Sequence, residues 1–310
     1  DPLWSRGLGD VYKRQTTFGT GNAGIIDITD KDRVSLENNA SISSSTSGAG
    51  SAGLVTVNAP FITLNSANVS AQASATSQGQ TGDINIKASK ALVLNNNANI
   101  SIKNDASIAN PKTITPTAIN VFAPDIDLKN SQITTESTGN VDAGKININF
   151  SHWLTLDPSF ITTAANTGNG GDINIIGGQL LYLKDSGILT SVNSANGNGG
   201  NINIATDYLV LDTGAIQANA VGGSGGDINL KLQALISSNN RLTLGGKRLA
   251  WRPFSNINII QAASENGING TINVTSPQFD ISASISGLDT EQLIMPKVDE
   301  NLCDSTAMLD

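Results

Sequence analysis

Cysteine occurs once in the 310-residue chain, at Cys303, which excludes an intrachain disulfide framework and a cysteine-based metal site. Histidine also occurs once, at His152, and a single imidazole makes no metal centre. Aromatics are 4% and charged residues 14% of the chain, too few large side chains to fill the centre of a compact globule. No apolar run is long enough to cross a membrane as a helix, and no secretory signal is legible. Lys and Arg number 18 against 26 Asp and Glu, a net charge of −8 that argues against nucleic acid and anionic membranes as partners.

What is present is Gly, Asn, Ser and Thr in quantity, the composition of many short strands joined by turns. Hydrophobic residues still reach 38%, more than a disordered chain carries, so there is a core, and it is thin. A strand motif returns along the chain: GIIDI at 24–28, GLVTV at 53–57, GDINI at 82–86, AINV at 118–121 and GKINI at 144–148. It continues as GDINI at 171–175, GNINI at 200–204, GDINL at 226–230 and GTINV at 270–274. The start-to-start spacings are 29, 29, 36, 26, 27, 29, 26 and 44, a period with two insertions.

Each unit repeats one internal grammar. A second apolar triplet follows the first, as in VSL (34–36), ITL (62–64), LVL (92–94), IDL (126–128), LTL (154–156), LYL (181–183) and LVL (209–211). A third, weaker strand comes next, as in ASISSS (40–45), ANVSA (67–71), ANISI (98–102) and GAIQA (214–218). The period within these stretches is that of strand, not helix. Three such strands bury no apolar face alone but do so when stacked on copies of themselves. The expectation is an all-β chain folded as a single-stranded parallel β-helix of about nine coils, right-handed by the general crossover rule. At ~4.8 Å per rung the rod would be on the order of 43 Å long. Ile84 should stack between the Leu54 or Val55 row and Ile119, and Asn85, Asn147, Asn174, Asn203, Asn229 and Asn273 should form an outer amide ladder.

Three segments follow. Residues 1–15 (DPLWSRGLGDVYKRQ) are rich in types scarce elsewhere and read as a non-native leader or disordered linker. Residues 16–285 form the β-helix, and 286–310 a short C-terminal cap, with Asp289 and Gln292 spaced to start a helix. The glycines of the GGD turns, Gly171 and Gly226, suggest sharp reversals at positive φ. A calcium-binding β-roll is the competing reading of GGSGGDINL (222–230), but Asn229 stands where a large apolar residue belongs, and the period is about 27 rather than nine.

The stretch FSNINIIQAASENGINGTINVTSPQFDISASISGL (254–288), followed by MPKVDENLCDS (295–305), resembles the C-terminal end of two-partner-secretion, filamentous-haemagglutinin-like exoproteins of Gram-negative bacteria. The GGDINI-like coils also look like that family's repeats. The resemblance implies a β-helical adhesin, secreted and displayed at the cell surface. Its export partner would be an outer-membrane β-barrel transporter, engaged through an N-terminal segment with no counterpart here. The chain, opening at Asp1, then reads as a C-terminal piece. Surface glycans or proteins would be its targets, and its open N-terminal rung suggests end-to-end self-association.

Enzymes also use parallel β-helices, so a polysaccharide lyase or glycoside hydrolase is the rival reading, and a purely structural biofilm or sheath component a third. Catalysis needs carboxylates converging on adjacent rungs. Asp83, Asp172 and Asp227 recur at one turn position, but Ala118, Lys145 and Asn201 interrupt the column, which suits turn capping better. His152 has no Ser/Asp constellation at useful spacing, and Cys303 suggests an inert thiol. The expectation is therefore no catalytic residue, no metal and no cofactor. The unusual local feature is NRLTLGGKRLAWRPF (240–254), which falls in the longest inter-repeat gap. Arg241, Lys247, Arg248, Trp251, Arg252 and Phe254 suggest a projecting loop that docks an anionic glycan or a protein, since Arg and Trp make strong contacts. The alternative is a loop folded back on the solenoid, its aromatics filling a gap.

Overall fold

The computed structural model of the chain describes residues 12–194, 197–276 and 278–279. They form a parallel β-solenoid of about eight turns, close to the nine anticipated. Three strands per coil stack into columns in which every pairing is parallel. The first and second columns merge into one 16-stranded sheet, because Val55–Asn65 and Ile84–Asn95 run unbroken through the corner between them. The third column is a separate 10-stranded sheet.

Register follows the apolar pattern. Val55, Ile84, Ile119, Ile146, Ile173, Ile202 and Ile228 stack in one buried row, which places Val55, not Leu54, beneath Ile84. Ile62, Leu92, Ile126, Leu154, Leu181, Leu209 and Leu235 form the second row. Ile42, Val69, Ile100, Ile133, Ile161, Ile188, Ile216 and Ile260 form the third. Each fully buried Ile or Leu contributes roughly 1.5–3 kcal/mol of transfer free energy, and β-branched side chains suit the pleated wall. A one-residue slip would turn a whole row outward, so the register is strongly specified.

The third strands look weak in sequence because their second inward position is polar. Thr135, Thr163 and Thr190 are buried, and their hydroxyls donate to the carbonyls of Gly144 (2.6 Å), Gly171 (2.6 Å) and Gly200 (2.7 Å). Those glycines open the next first strand, so each hydroxyl ties the end of one coil to the start of its successor. A buried hydroxyl with a partner costs little, whereas one without would be expensive.

The reason for glycine at the coil openings differs from the one expected. Gly171 and Gly226 are not in the left-handed region; among the described residues the glycines at positive φ are Gly245 and Gly246, in the inserted loop. A Cβ on Gly171 would lie 1.8 Å from the Gly144 carbonyl oxygen, and one on Gly226 would lie 2.0 Å from that of Gly200. Glycine is required by close stacking of backbone on backbone. The left-handed turns lie instead at the corner between second and third strands, where Asn38, Asn39, Asn96, Asn97, Asn130 and Asp185 have φ of 55°, 62°, 54°, 63°, 48° and 49°. Asn and Asp tolerate that conformation better than other side-chain-bearing residues.

Outside the first column, the amide ladder forms and gains Asn120 as a seventh member. Asn120 Nδ2 donates to Asn85 Oδ1 (2.9 Å), and the pattern repeats through Asn147 (2.8 Å), Asn174, Asn203, Asn229 and Asn273 (2.9 Å each). Asn174→Ala removes two of these bonds and Asn273→Ala one. Losses of about 1–2 and about 0.5–1 kcal/mol are expected in chemical denaturation.

Both insertions sit at corners. Residues 105–117 carry a short 3-10 turn at Pro111–Thr113, and Ile114 packs on Ala73, Ala106, Ile108 and Val141. The longer one separates the second strand Ala234–Ser237 from the third strand Asn258–Gln261 of a single coil. At the other end, strand Tyr12–Thr17 pairs with Ser41–Thr46, so among the described residues β-structure is present N-terminal of the boundary expected at 16. The cap expected at 286–310 lies outside the described residues.

Candidate functional site

The carboxylate column acts in turn geometry. Asp83 Oδ1 accepts the N–H of Ala118 (2.8 Å) and Asp172 Oδ1 that of Asn201 (3.0 Å), while Asn201 Oδ1 accepts the N–H of Asp227 (2.8 Å). Lys145 adds an ion pair to Asp172 at 3.2 Å. Asp227 Oδ1 accepts both the N–H and the hydroxyl of Thr271, each at 2.8 Å. These bonds, the backbone one foremost, hold the Asp227 carboxyl below the usual carboxylate range. A depressed folded pKa contributes stability above the unfolded pKa and loses it as pH falls through the folded value. Protection of the Thr271 amide from hydrogen exchange should therefore fall in strong acid, once exchange chemistry is corrected for pH. Asp227→Asn should flatten that dependence; an unchanged acid profile would contradict it.

His152 Nδ1 hydrogen-bonds Asp125 Oδ1 at 2.7 Å and leans on Trp153, on the exposed second-column face. Cys303 lies outside the described residues.

The inserted segment does not project. It opens with Leu242–Leu244, which adds a short strand beside Asn258–Gln261 at the end of the third sheet. The chain then turns through Gly245 and Gly246 and lies back across the outer face of the third-strand sheet. Gln261, itself buried, is the pin. Its Oε1 accepts from Leu249 N (2.9 Å), Gln217 Nε2 (3.1 Å) and Asn219 Nδ2 (3.3 Å), and its Nε2 donates to the carbonyls of Lys247 (2.6 Å) and Gly245 (3.2 Å). Further out, Trp251 meets Phe160 edge-on at 6.4 Å, and its indole N–H donates to the Ile257 carbonyl at 2.9 Å. The Phe254 N–H is held by Asp185 Oδ1 at 3.0 Å, and Arg248 pairs with Glu265 at 2.9 Å.

This crossing leaves a cleft on each side of the Phe160–Trp251 contact. The larger, about 790 Å³, is lined by Thr162, Ser191, Gln217, Asn219, Lys247, Arg248, Trp251 and Glu265 among others. The smaller, about 340 Å³, is lined by Asn97, Asn130, Ser131, Gln132, Pro158, Phe160, Pro253 and Phe254. Phe254 is exposed and sits at φ 60°, a strained conformation for a bulky side chain.

Of the six residues singled out from sequence, Lys247, Arg248 and Trp251 line the larger cleft and Phe254 the smaller. Arg252, exposed on the same loop, and Arg241, at its base, line neither. Gln217, Asn219 and Gln261 were not anticipated. The signal for them was present: IQA recurs at 216–218 and 260–262, in register on adjacent third strands. Comparison with known proteins finds no matching family model, no matching curated protein and no matching solved structure.

Proposed function

We propose that the chain is a stalk segment of a secreted, non-catalytic surface adhesin of the filamentous-haemagglutinin-like kind, working by reach and repeated weak contacts. The observation that carries this reading is the use made of outward polar groups. Along the first column the amides bond to one another rung by rung, and the recurrent aspartates bond to the backbone of the next coil. Such groups build a stiff rod, and Asp83, Asp172 and Asp227 are engaged as caps rather than paired for acid–base work. The docked loop then offers a side-chain-rich patch on the rod for contact with a target surface. A structural sheath role is the second reading, favoured by the exposed apolar side chains of Phe122, Ile176, Trp153 and Tyr208, a basis for lateral packing of rods.

The test is attachment of the purified chain to arrayed glycans and to whole cells, with sugar turnover read in the same wells. Attachment without turnover is the expected result. Turnover would overturn the non-catalytic reading, and self-association without attachment would favour the sheath.

A further inference from the structure

We propose that the clefts flanking the Phe160–Trp251 contact together seat an acidic oligosaccharide, one carrying about one carboxylate per sugar. The inference deepens the adhesin reading and rests on it. Three independent observations converge on these clefts. The first is charge. In a chain of net −8, Lys247 and Arg252 are exposed on the crossing loop and make no ion pair among the described residues, whereas the neighbouring Arg248 is held by Glu265. Exposed cations without partners in an acidic molecule favour an anionic occupant.

The second is hydrogen-bonding capacity. Along the first column, the outward amides are satisfied by one another. In the clefts, the side chains of Thr162 and Ser191 on one side, and of Asn97, Asn130 and Gln132 on the other, make no hydrogen bond among the described residues. Hydroxyl and amide groups that both donate and accept suit the hydroxyls of a sugar. The third is aromatic placement. Trp251 and Phe254 border the two clefts, and Phe254 is fixed by Asp185 in a strained, exposed conformation that its own packing does not explain. A few convergent polar groups beside an aromatic wall are the usual makeup of a small-molecule site. One unpaired cation lining the cleft of about 790 Å³, Lys247, with Arg252 exposed further along the same loop, matches a charge on each sugar better than the denser charge of a sulfated chain.

The experiment is isothermal titration calorimetry of the full chain with hexameric oligogalacturonate, with neutral maltohexaose, and with dextran sulfate. Oligogalacturonate is expected to bind at least tenfold more tightly than maltohexaose, with affinity that weakens as salt rises. Lys247→Gln with Arg252→Gln should reduce that affinity at least tenfold while leaving the circular-dichroism melting curve in place. Phe254→Ser, at an exposed position, should weaken it as well. Absent binding, equal binding of maltohexaose, tighter binding of dextran sulfate, or an unaltered double variant would each overturn the assignment. Cell attachment by the same double variant separates the two readings. Attachment kept while oligosaccharide binding is lost would remove the clefts as the adhesive site and leave the rod reading standing. If the unaltered chain binds oligogalacturonate but attaches to no surface, the adhesin reading fails instead.

Discussion

Gly171→Ala is expected to destabilise the coil stack by about 3 kcal/mol or more, although it adds a single methyl group. The added Cβ would stand 1.8 Å from the Gly144 carbonyl oxygen and 2.7 Å from its carbon. Both are backbone atoms of the rung below, so no rotamer change relieves the contact. Gly144 and Gly200 occupy the same column, and the clash can be relieved only by parting two rungs. Parting them also breaks the Thr163 bond to the Gly171 carbonyl and strains the ladder at Asn174. Gly19→Ala is the control, because a Cβ there meets nothing within 4 Å. Urea unfolding of the two variants should show a large loss for the first and almost none for the second. Equal midpoints would mean that the coils yield by an ångström at small cost, and that close stacking is not why glycine occupies the column.

The second large effect is expected from Gln261→Leu. One amide holds Gly245, Lys247 and Leu249 of the loop and also joins Gln217 and Asn219 on the sheet. Leucine keeps the volume and removes every one of these bonds. Asn219 Nδ2 would then be buried without a partner, a penalty of about 1–3 kcal/mol, while Gln217 Nε2 would keep only its bond to the Leu249 carbonyl. Undocking the loop lets water satisfy them, so the loop should open while the rod stays folded. Trypsin should cut after Lys247 and Arg248 at least tenfold faster than in the unaltered chain, with the melting temperature of the rod little changed. Unaltered cleavage would show that Gln217 on the Leu249 carbonyl, Trp251 on Phe160, Arg248 on Glu265 and Phe254 on Asp185 suffice to hold the loop. Loss of oligogalacturonate binding in this variant would follow from the proposed clefts, since their shared wall would be gone.

These two positions show how unevenly the chain discloses itself. The glycine column was visible as a repeated letter, but its cause was misread: a turn and a close approach select the same residue, and only the carbonyl of the rung below tells them apart. The loop was visible as the longest gap in the period, with basic and aromatic residues in an acidic chain. That it lies down instead of projecting depends on Gln261, which in sequence is one amide in a chain full of amides. Thr135, Thr163 and Thr190 were not legible as core residues, because a buried hydroxyl is recognised only by its partner, here the carbonyl of the glycine that opens the next coil.

The sequence by itself determined the solenoid: a period of 26–29 residues, three apolar stretches per period and alternation at strand spacing. Those features act locally and repeat, and a thin core has one efficient way to use them, by stacking like on like. The amide ladder followed from the same register. What only the tertiary structure decided is non-local: the contact of Gly171 with Gly144, the docking of residues 245–257 on the third-strand face, and the clefts that docking creates. An insertion breaks the period, so the repeat no longer says where it goes. Its position is set by hydrogen bonds and ring contacts to particular residues on rungs it does not belong to.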